Sequence, residues 1–236
     1  MKAILRSDVG RVRSRNEDAA IICDGFFAVC DGMGGHRAGD VASKTAADTL
    51  RAELSNKPFS IQNLLEAIRR ANEKVYRLSH EEEHLAGMGT TLTAMLVEEE
   101  QVILAQIGDS RAYLFRGGVL RQCTHDHSFV AELVRAGTIS YEDARTHPHK
   151  NLITRALGTN AHVEADLFEI GRRAGDRWLL CSDGLTDLVT DIEIQDILYQ
   201  TESEEAADAL LATALDRGGV DNITFLLIDD EGGVDA

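Results

Sequence analysis

Acidic residues recur in this chain at the points where apolar runs end or begin. Five aspartates share this placement: Asp18, Asp31, Asp109, Asp183 and Asp221. Strand ends are rigid, so carboxylates placed there can be held in a fixed mutual geometry. Carboxylates brought together repel and raise one another's pKa unless cations lie between them. Oxygen ligands with no nearby CxxC or HExxH motif favour Mg²⁺ or Mn²⁺ over zinc, so the pattern predicts a site for these cations.

The segment FFAVCDGMGGHRAGD, residues 26–40, shows the pattern most clearly. Asp31 ends an apolar run, and three glycines stand among the next four residues. A glycine after an acid leaves its backbone carbonyl accessible as a further ligand and leaves room for water. Asp-Gly is also the commonest turn dipeptide, and a single DG pair more often marks a hairpin turn than a ligand. The spacing alone does not show that the five acids converge.

Composition disfavours several classes of partner and location. The chain of 236 residues has a formal net charge of −16, which argues against nucleic acid and anionic membrane surfaces. Three of the four cysteines lie in apolar runs and none forms a CxxC pair, which favours a reducing compartment. The start lacks the apolar core of a signal peptide, and no run approaches the ~20 apolar residues of a spanning helix. We expect a cytoplasmic protein with one domain over residues 1–236 and a loosely ordered acidic end at about 229–236.

Helical periodicity is clearest in SIQNLLEAIRRANEKVYRLSH, residues 60–80, with Ser60 placed as the N-cap. Further helices are predicted in SFVAELVRAG, DIEIQDILYQ and SEEAADALLATALDRGG. Another helix is predicted to run from Gly39 to Leu54. Four of its residues are expected to face inward: Val41, Thr45, Ala46 and Leu50.

Short apolar runs between these helices predict strands: AAIICD, FFAVCD, TLTAMLVE, QVILAQIGD, RAYLFRG, VEADLFEI, RWLLCSD and NITFLLID. They follow one another instead of alternating strictly with helices, which favours antiparallel sheets packed against helices. The run QIGDSRAYLFRGGVLRQ predicts two successive hairpins, with turns at Gly108-Asp109 and Gly117-Gly118. Residues 135–157 contain no long apolar run, which indicates a surface excursion.

Taken in order, these segments resemble the metal-dependent Ser/Thr protein phosphatases, the protein phosphatase 2C family, in their short bacterial form. The matching segments are SDVGRVRSRNEDA, AVCDGMGGHRAGDVAS, GMGTTLTAML, IGDSRAYLFRGG, CTHDHSFV, HPHKNLITRALG, LLCSDGLTDLV and DNITFLLI. They span almost the whole chain in the family's order. The resemblance implies an α+β fold, a four-layer αββα sandwich of two central antiparallel β-sheets flanked by helices. It also implies a two-metal centre for Mn²⁺ or Mg²⁺ at one edge of the sheets.

The resemblance assigns roles to the residues around the first two metals. By position, Asp31 bridges both metals and the Gly32 carbonyl binds the second. Asp183 and Asp221 match ligands of the first metal. Asn222 stands beside Asp221 and is expected to orient that ligand or its loop.

Two further acidic positions are matched in the same way. Asp18, with Glu17 beside it, matches the acid near the second metal, directly or through water. Asp109 matches a carboxylate that holds a weaker third metal in bacterial members, with Asp183 shared. The resemblance therefore implies two metals and allows a third.

An arginine is also implied. Arg13 matches the family's phosphate-clamping arginine, because it stands five residues before Asp18 as in the family. A guanidinium suits bidentate binding of phosphate oxygens. Arg11 and Arg15 are close enough in the sequence to leave this register open, and a solvated charge is the plainer interpretation of any one of them.

Histidines raise separate questions. Many animal members carry a histidine two residues after the bridging aspartate, where this chain has Met33. His36 is the nearest replacement as proton donor to the leaving group, although a loop histidine that touches substrate is an equal alternative. The spacing of His125 and His127 would allow metal chelation, but a helix that begins at this point with Ser128 as its cap is the better interpretation.

The function implied is hydrolysis of phosphoserine and phosphothreonine in proteins, in which a metal-activated water attacks phosphorus in line without a phospho-enzyme. A catalytically silent relative that binds phosphoproteins is an alternative, although silent relatives tend to lose the acids present here. A two-metal phosphodiesterase or nuclease is a third alternative, disfavoured by the acidic charge.

The expected partners are phosphorylated proteins and a bacterial Ser/Thr kinase or its substrates, and a monomer is the default. Residues 135–157 match the family's mobile flap, whose basic residues either receive a phosphoprotein or are simply solvated.

Overall fold

The computed structural model describes residues 1–34, 38–55 and 57–232. These residues form two antiparallel sheets, one with strand order β1-β11-β10-β7-β8 and one with order β2-β3-β5-β6-β9, where the short β4 also pairs with β3. The strands are β1 (Lys2–Asp8), β2 (Asp18–Cys23), β3 (Phe26–Met33), β4 (Gly89–Thr90), β5 (Leu92–Val97), β6 (Gln101–Ile107), β7 (Arg111–Arg116), β8 (Val119–Gln122), β9 (Asp166–Gly171), β10 (Arg177–Cys181) and β11 (Ile223–Asp229).

Helices cover the outer face of each sheet. Residues of α1 and α2 share a core cluster with the six-stranded sheet, and residues of α6 and α7 share one with the five-stranded sheet. The predicted four-layer αββα sandwich is therefore confirmed. The helices are α1 (Ala38–Leu54), α2 (Ile61–Glu81), α3 (Phe129–Arg135), α4 (Tyr141–Thr146), α5 (Asp183–Thr186), α6 (Asp191–Gln200) and α7 (Ser203–Asp216), with a 3-10 turn at Glu83–Leu85.

The continuous apolar runs follow from sheets that are buried on both faces. Successive side chains of a strand point to opposite faces, so such a strand needs apolar residues at every position. In β3, Phe26 and Ala28 pack towards the helices, whereas Phe27 and Val29 pack towards the other sheet. Trp178 of β10, fully buried, belongs to this cluster between the sheets.

The periodicity of α2 and its N-cap are confirmed, since the Ser60 side chain accepts a hydrogen bond from the Asn63 N–H at 3.2 Å. For α1 the predicted inward face is correct at Ala46 and Leu50, which are buried, and at Val41, which is half-buried and packs against the core cluster, whereas Thr45 is only half-buried. The buried stripe of α1 consists mainly of small side chains, which allow the helix to lie close to β3. Its members are Ala38, Gly39, Ala42, Ser43, Ala46, Ala47, Leu50 and Leu54.

Of the two predicted hairpins, the second is confirmed and the first is wrong. Strands β7 and β8 pair around the Gly117-Gly118 turn. Strand β6, however, pairs with β5 and β9, whereas β7 pairs with β8 and β10. The Gly108-Asp109 turn thus carries the chain from one sheet to the other. A turn dipeptide specifies a change of direction and not the partner strand, which depends on the packing of both sheets.

Residues 135–157, called the flap segment here, include the short helix α4, whose N-cap Ser140 forms a capping box with Asp143. Its last residue returns to the core, where Leu157 is buried and pairs with Thr90. Across the described residues, no helix combines the length and apolarity needed to cross a bilayer. All four cysteines are free thiols: Cys23, Cys30, Cys123 and Cys181.

Candidate metal centre

The five predicted acids lie at one edge of the sandwich. In the six-stranded sheet, Asp18 begins β2 and is the register partner of Asp31 in β3. In the five-stranded sheet, Asp183 follows β10 and Asp221 precedes β11, at the same end of this antiparallel pair. Asp109 lies in the link from β6 to β7, between the sheets. The fold therefore brings together acids that are up to about two hundred residues apart in the chain.

A serine that sequence reasoning did not single out connects the two sheets at this edge. Ser182 Oγ donates a hydrogen bond to Asp18 Oδ2 at 2.9 Å and accepts one from the Thr224 N–H at 3.0 Å. The Ser182 N–H donates to the Thr224 carbonyl at 2.9 Å. The sequence could have indicated Ser182 because it directly precedes Asp183, and a residue next to an acid at a strand end shares that acid's rigid backbone.

Two threonines hold the backbone of Asp31. The Asp31 N–H donates to Thr91 Oγ1, and the Asp31 carbonyl accepts from the Thr91 N–H, both at 2.9 Å. Thr90 Oγ1 donates to the same carbonyl, also at 2.9 Å. With both backbone groups fixed, the carboxylate has a defined direction into the cluster of acids. These threonines lie in the segment GMGTTLTAML, which the resemblance had covered without assigning them a role.

The acids act strongly on one another. The pKa of Asp31 is raised well above its ordinary value, first by burial and then by four carboxylates. Those four are Asp18, Asp183, Asp109 and Asp221. The pKa of Asp183 is raised in the same way, by burial and by neighbouring carboxylates. Charges that repel over such short ranges are stabilised by a cation placed among them.

The donor set fits hard divalent cations. Burial raises the pKa of Asp18 to about 6 and that of Asp109 to about 7. One oxygen of each, Oδ1, is buried without a hydrogen-bond partner. In the described ranges no three acidic, histidine or cysteine side chains are already arranged to hold a metal ion. Buried carboxylate oxygens without protein partners are suited to Mg²⁺ or Mn²⁺.

Glu17, which the sequence prediction named only as a neighbour of Asp18, has a side chain that lies close to the Gly32 carbonyl. A Cβ built on Gly39 would lie 2.2 Å from Glu17 Oε2 and 2.8 Å from the Gly32 carbonyl oxygen, so both oxygens converge on one point. The pKa of Glu17 is raised by burial and by the charge of Asp40. Asp18 instead turns towards Asp31 and Ser182. Glu17 is thus the acid that faces the Gly32 carbonyl, and Gly39 leaves the room for it.

Among the three candidate arginines, Arg13 reaches the acids. Its Nη2 donates to Asp221 Oδ2 at 2.7 Å, and its side chain remains about half exposed. Arg11 instead donates to the Leu215 carbonyl at 2.9 Å, on the outer helix layer. Arg13, the arginine chosen from the sequence, therefore has its guanidinium at the rim of the acid cluster, with one side facing solvent.

Asn222 holds the loop that carries Arg13 and Glu17. Its Nδ2 donates to the carbonyls of Val9 at 3.0 Å and Arg15 at 2.7 Å. Its Oδ1 accepts from the Glu17 N–H at 2.8 Å. Its backbone N–H donates to Asp221 Oδ1 at 2.8 Å. The Asn222 side chain thus holds the loop of residues 9–17, and its backbone N–H fixes one oxygen of Asp221; that Asp221 is a metal ligand stays a prediction.

The predicted histidines separate from one another. His36 lies outside the described residues. His125 is exposed and meets the Phe168 ring edge-on at 5.4 Å between centroids, whereas His127 is buried. Ser128 caps α3 through its side chain, as predicted. The helix-start interpretation of this motif is therefore confirmed, and the two imidazoles do not share a site.

A cavity of about 60 Å³ lies between the acids and the flap segment. Asp109 and Asp183 line it on one side, and Arg145 and Lys150 line it on the other. The ammonium of Lys150 is paired with the Asp187 carboxylate, and Arg145 Nη2 donates to the Asp187 carbonyl at 3.2 Å. Of the basic residues of the flap segment, Arg145 and Lys150 thus line the cavity beside the acids, whereas His149 is exposed to solvent.

The raised pKa values predict how stability depends on pH when metal is removed. A carboxyl whose pKa is higher in the folded than in the unfolded state stabilises the fold at low pH, and that contribution is lost as pH rises through the folded value. For Asp18 and Asp109 the loss spans about pH 4 to 7. We expect the free energy of unfolding in EDTA to fall between pH 5 and pH 8, and Mn²⁺ to reverse the fall.

Urea denaturation at several pH values measures this dependence, with Asp18→Asn/Asp109→Asn as the comparison. The double variant should show a flatter pH profile than the unaltered chain. His127, whose pKa burial lowers, contributes with the opposite sign but is common to both proteins. Equal slopes for the two proteins would contradict the prediction.

Comparison with known proteins agrees with this geometry. Residues 11–217 match the family model described as protein phosphatase 2C. The serine/threonine phosphatase stp of Listeria monocytogenes serotype 4b (strain F2365) is 43% identical over 242 residues, covering 97% of this chain and 96% of the relative. The serine/threonine protein phosphatase PstP of Mycobacterium tuberculosis (strain CDC 1551 / Oshkosh) is 44% identical over 226 residues, which is 95% of this chain and 44% of that protein.

Solved structures give the same result. The crystal structure of the Mycobacterium tuberculosis phosphatase PstP/Ppp superposes with a TM-score of 0.92 at 43% identity, covering 98% of this chain and 99% of that one. The PstP catalytic domain in complex with 2 manganese ions has a TM-score of 0.89 at 42% identity, covering 97% of each chain. The acidic edge, the two-sheet fold and the similarity to these proteins all support one assignment. The chain belongs to the protein phosphatase 2C family and is a metal-dependent serine/threonine phosphatase.

Proposed function

We propose that this chain removes phosphate from phosphoserine and phosphothreonine in proteins with two Mn²⁺ or Mg²⁺ ions held at the acidic edge, and that a weaker third site adjoins them. When bound, the cations supply an activated water as nucleophile and screen the charge of the phosphoryl oxygens. The residues proposed to hold them are Asp31, Asp183, Asp221, Glu17, Asp18 and the Gly32 carbonyl, with Asp109 and Asp183 for the third.

The observation that carries this proposal is the mutual effect of the five aspartates. Asp31 lies within the field of the other four, and its backbone is fixed on both sides by Thr91. Ser182 uses one oxygen of Asp18 and leaves the other, which is buried without a partner. A protein that needed these groups only for folding would gain nothing from burying several carboxylates together, because removal of carboxylates from water is costly unless a cation compensates.

Within the second-metal site we assign Glu17 a direct role. Its Oε2 and the Gly32 carbonyl oxygen both lie within 3 Å of the point that a Gly39 Cβ would occupy. Asp18, in contrast, is held by Ser182 on the side facing Asp31. Asp18 therefore keeps its unpartnered Oδ1 for a cation beside the bridging acid, and Glu17 completes the oxygen set around Gly32.

Arg13 is the proposed phosphate clamp. Its guanidinium is tied to Asp221 Oδ2 through one nitrogen, and half of its side chain faces solvent. A planar guanidinium can donate two parallel hydrogen bonds to phosphate oxygens, so a phosphoryl group that arrives at the acids meets a cation on the open side. A proton for the leaving hydroxyl is assigned to His36, which is a prediction from the sequence alone.

Protein substrates are the expected phosphate donors, since the relatives are named serine/threonine phosphatases. A bacterial Ser/Thr kinase, or the proteins it modifies, is the proposed partner, and the proposed state is a monomer. Two of the flap cations, Arg145 and Lys150, line the cavity beside the acids, which supports a role in receiving an anionic segment of a phosphoprotein. A phosphoprotein-binding relative without turnover is the alternative, and it predicts binding of the same phosphopeptides without release of phosphate.

The test measures phosphate release from a phosphothreonine peptide and p-nitrophenol release from p-nitrophenyl phosphate and bis-p-nitrophenyl phosphate, with Mn²⁺, Mg²⁺ or EDTA. We expect turnover of the peptide and the monoester with either metal, its loss in EDTA, and little or no turnover of the bis-ester. Peptide binding without release from folded, Mn²⁺-loaded protein would support the silent alternative. Preferential hydrolysis of the bis-ester would replace the monoesterase by a phosphodiesterase.

A further inference from the structure

His127 is buried to a degree that a residue next to a helix cap does not need. Only 4% of it is exposed, although it directly precedes the capping Ser128. The neighbouring His125 of the same motif is exposed. A buried imidazole normally makes hydrogen bonds with both ring nitrogens, so its neighbours indicate what it does.

The ring and the backbone of His127 both make hydrogen bonds to Gly108, the residue directly before Asp109. The Gly108 N–H donates to His127 Nδ1 at 3.1 Å, and the His127 N–H donates to the Gly108 carbonyl at 2.8 Å. Gly108 has a φ of +99°, and a Cβ there would lie 2.6 Å from Thr91 Cγ2. The chain therefore makes an unusual turn at this point, and His127 binds both backbone groups of the residue that makes it.

The other edge of the imidazole faces an ion pair. Because Nδ1 accepts a hydrogen bond, the proton of the neutral ring is on Nε2, which lies 3.2 Å from Asp166 Oδ2. This contact lacks the alignment of a good hydrogen bond. Arg155 Nη1 donates to the other oxygen of Asp166 at 2.5 Å. Burial lowers the pKa of His127, which keeps the ring neutral and Nδ1 available as an acceptor.

His127 also contacts the base of the flap segment. Its carbonyl accepts from the Thr154 N–H at 2.8 Å, and the Phe129 N–H donates to the Leu152 carbonyl at the same distance. The turn before Asp109 and the returning end of the flap segment therefore meet on one residue. Gln106 Nε2 supports the Gly108 carbonyl at 3.0 Å but makes no contact with its N–H, which leaves that group to the imidazole.

We propose that His127 is a positioning residue: its Nδ1 holds the N–H of the Ile107–Gly108 peptide, fixes the turn at Gly108 and so orients the Asp109 carboxylate for the third, weaker cation. This inference rests on the proposed function, which assigns Asp109 to that cation. Loss of the acceptor leaves the buried Gly108 N–H without a partner, and the peptide rotates to recover one. The two principal metals, whose proposed ligands lie on other strands, are not affected.

Mn²⁺ titration calorimetry on the full chain tests the proposal without turnover as the readout. The unaltered protein should show two tighter sites and one weaker site. Loss of an orienting group typically weakens metal affinity about 10- to 100-fold. We therefore expect His127→Ala to weaken the third site by about tenfold or more and to leave the two tighter sites within about twofold.

Two conservative variants make the test specific to one ring nitrogen. An asparagine places its amide oxygen near Nδ1, whereas a glutamine reaches the position of Nε2. We expect His127→Asn to retain the third site and His127→Gln to lose it as His127→Ala does. Equal third-site affinity in the two amide variants would overturn the proposal, and this comparison holds even if the alanine variant folds poorly. His125→Ala, in the same motif but exposed, is the matched control and should bind as the unaltered chain does.

Asp109→Asn separates failure of this inference from failure of the proposed function. If Asp109→Asn weakens the third site and His127→Gln does not, the third site stands and the role of His127 is wrong. If Asp109→Asn leaves three sites unchanged, the assignment of Asp109 itself is wrong, and the inference fails with it.

Discussion

Asp31→Asn should lower turnover by about 10³-fold or more while making the metal-free protein more stable. The amide keeps the shape of the side chain but removes the negative charge at the centre of the cluster. Since four other carboxylates raise the pKa of Asp31, removal of its charge relieves repulsion in the folded state. The same charge is what two cations would share, so its loss removes the metal site and the catalysis together.

Opposite signs for activity and stability distinguish this prediction from ordinary damage to the fold. Turnover of a phosphothreonine peptide in Mn²⁺ and urea denaturation in EDTA at pH 8 measure the two quantities. Mn²⁺ should stabilise the unaltered protein much more than the variant, because ligand binding to the folded state shifts the unfolding equilibrium. Retained turnover, or a loss of stability in EDTA, would contradict the role assigned to Asp31.

The chain supplies a matched control at Asp24. The tripeptide Cys-Asp-Gly occurs twice, at residues 23–25 and 30–32, after an apolar run in both cases. Asp24 is exposed in the turn from β2 to β3, at the far end of these strands from Asp31. Asp24→Asn should therefore change neither turnover nor metal-free stability appreciably, since exposed surface substitutions are usually within about 0.5 kcal/mol.

Asn222→Ala should destabilise the protein by about 2–4 kcal/mol and sharply reduce turnover. The Asn222 side chain makes three hydrogen bonds, to the backbone of Val9, Arg15 and Glu17. The residue is only 6% exposed, so water cannot easily replace the lost partners. Because Arg13 and Glu17 lie in the loop held by these bonds, the loop loses its position when they are removed.

Urea denaturation in EDTA gives the free energy of unfolding, and steady-state kinetics on the phosphothreonine peptide gives the catalytic loss. Asn63→Ala is the matched control, because Asn63 donates one exposed hydrogen bond, to the Pro58 carbonyl at 2.8 Å. We expect its cost to stay below about 1 kcal/mol, with turnover unchanged. Similar destabilisation by the two substitutions would show that Asn222 has no special role at the acidic edge.

Excess Mn²⁺ provides a second readout for Asn222. If the loop only needs to be held in place, binding of metal at Glu17 should restore part of its order, and Mn²⁺ should rescue turnover in part. Asn222→Asp should be rescued less than Asn222→Ala, since both variants lose the donors to the Val9 and Arg15 carbonyls and the carboxylate also repels these oxygens. The difference between the two variants therefore measures this added repulsion.

Local patterns determined much of this structure. The period of α2 and its cap at Ser60, the cap of α3 at Ser128, and the fully apolar strands all follow from interactions between near neighbours and from burial on both faces. The sequence also showed that acids stand at strand ends, whereas the fold was needed to show that these acids meet at one edge. The ordered motifs then gave the family and the type of metal.

Only the tertiary structure shows how the surroundings of the two identical Cys-Asp-Gly tripeptides differ. The tripeptide at Asp24 is a hairpin turn, whereas the tripeptide at Asp31 lies in the acid cluster, where Thr90 and Thr91 hold the Asp31 backbone. The Gly108-Asp109 turn joins two sheets instead of two strands of one hairpin, since strand partners are chosen by long-range packing. Such contacts between residues far apart in the chain leave no local periodicity, and they place Glu17, Ser182 and His127 at the site.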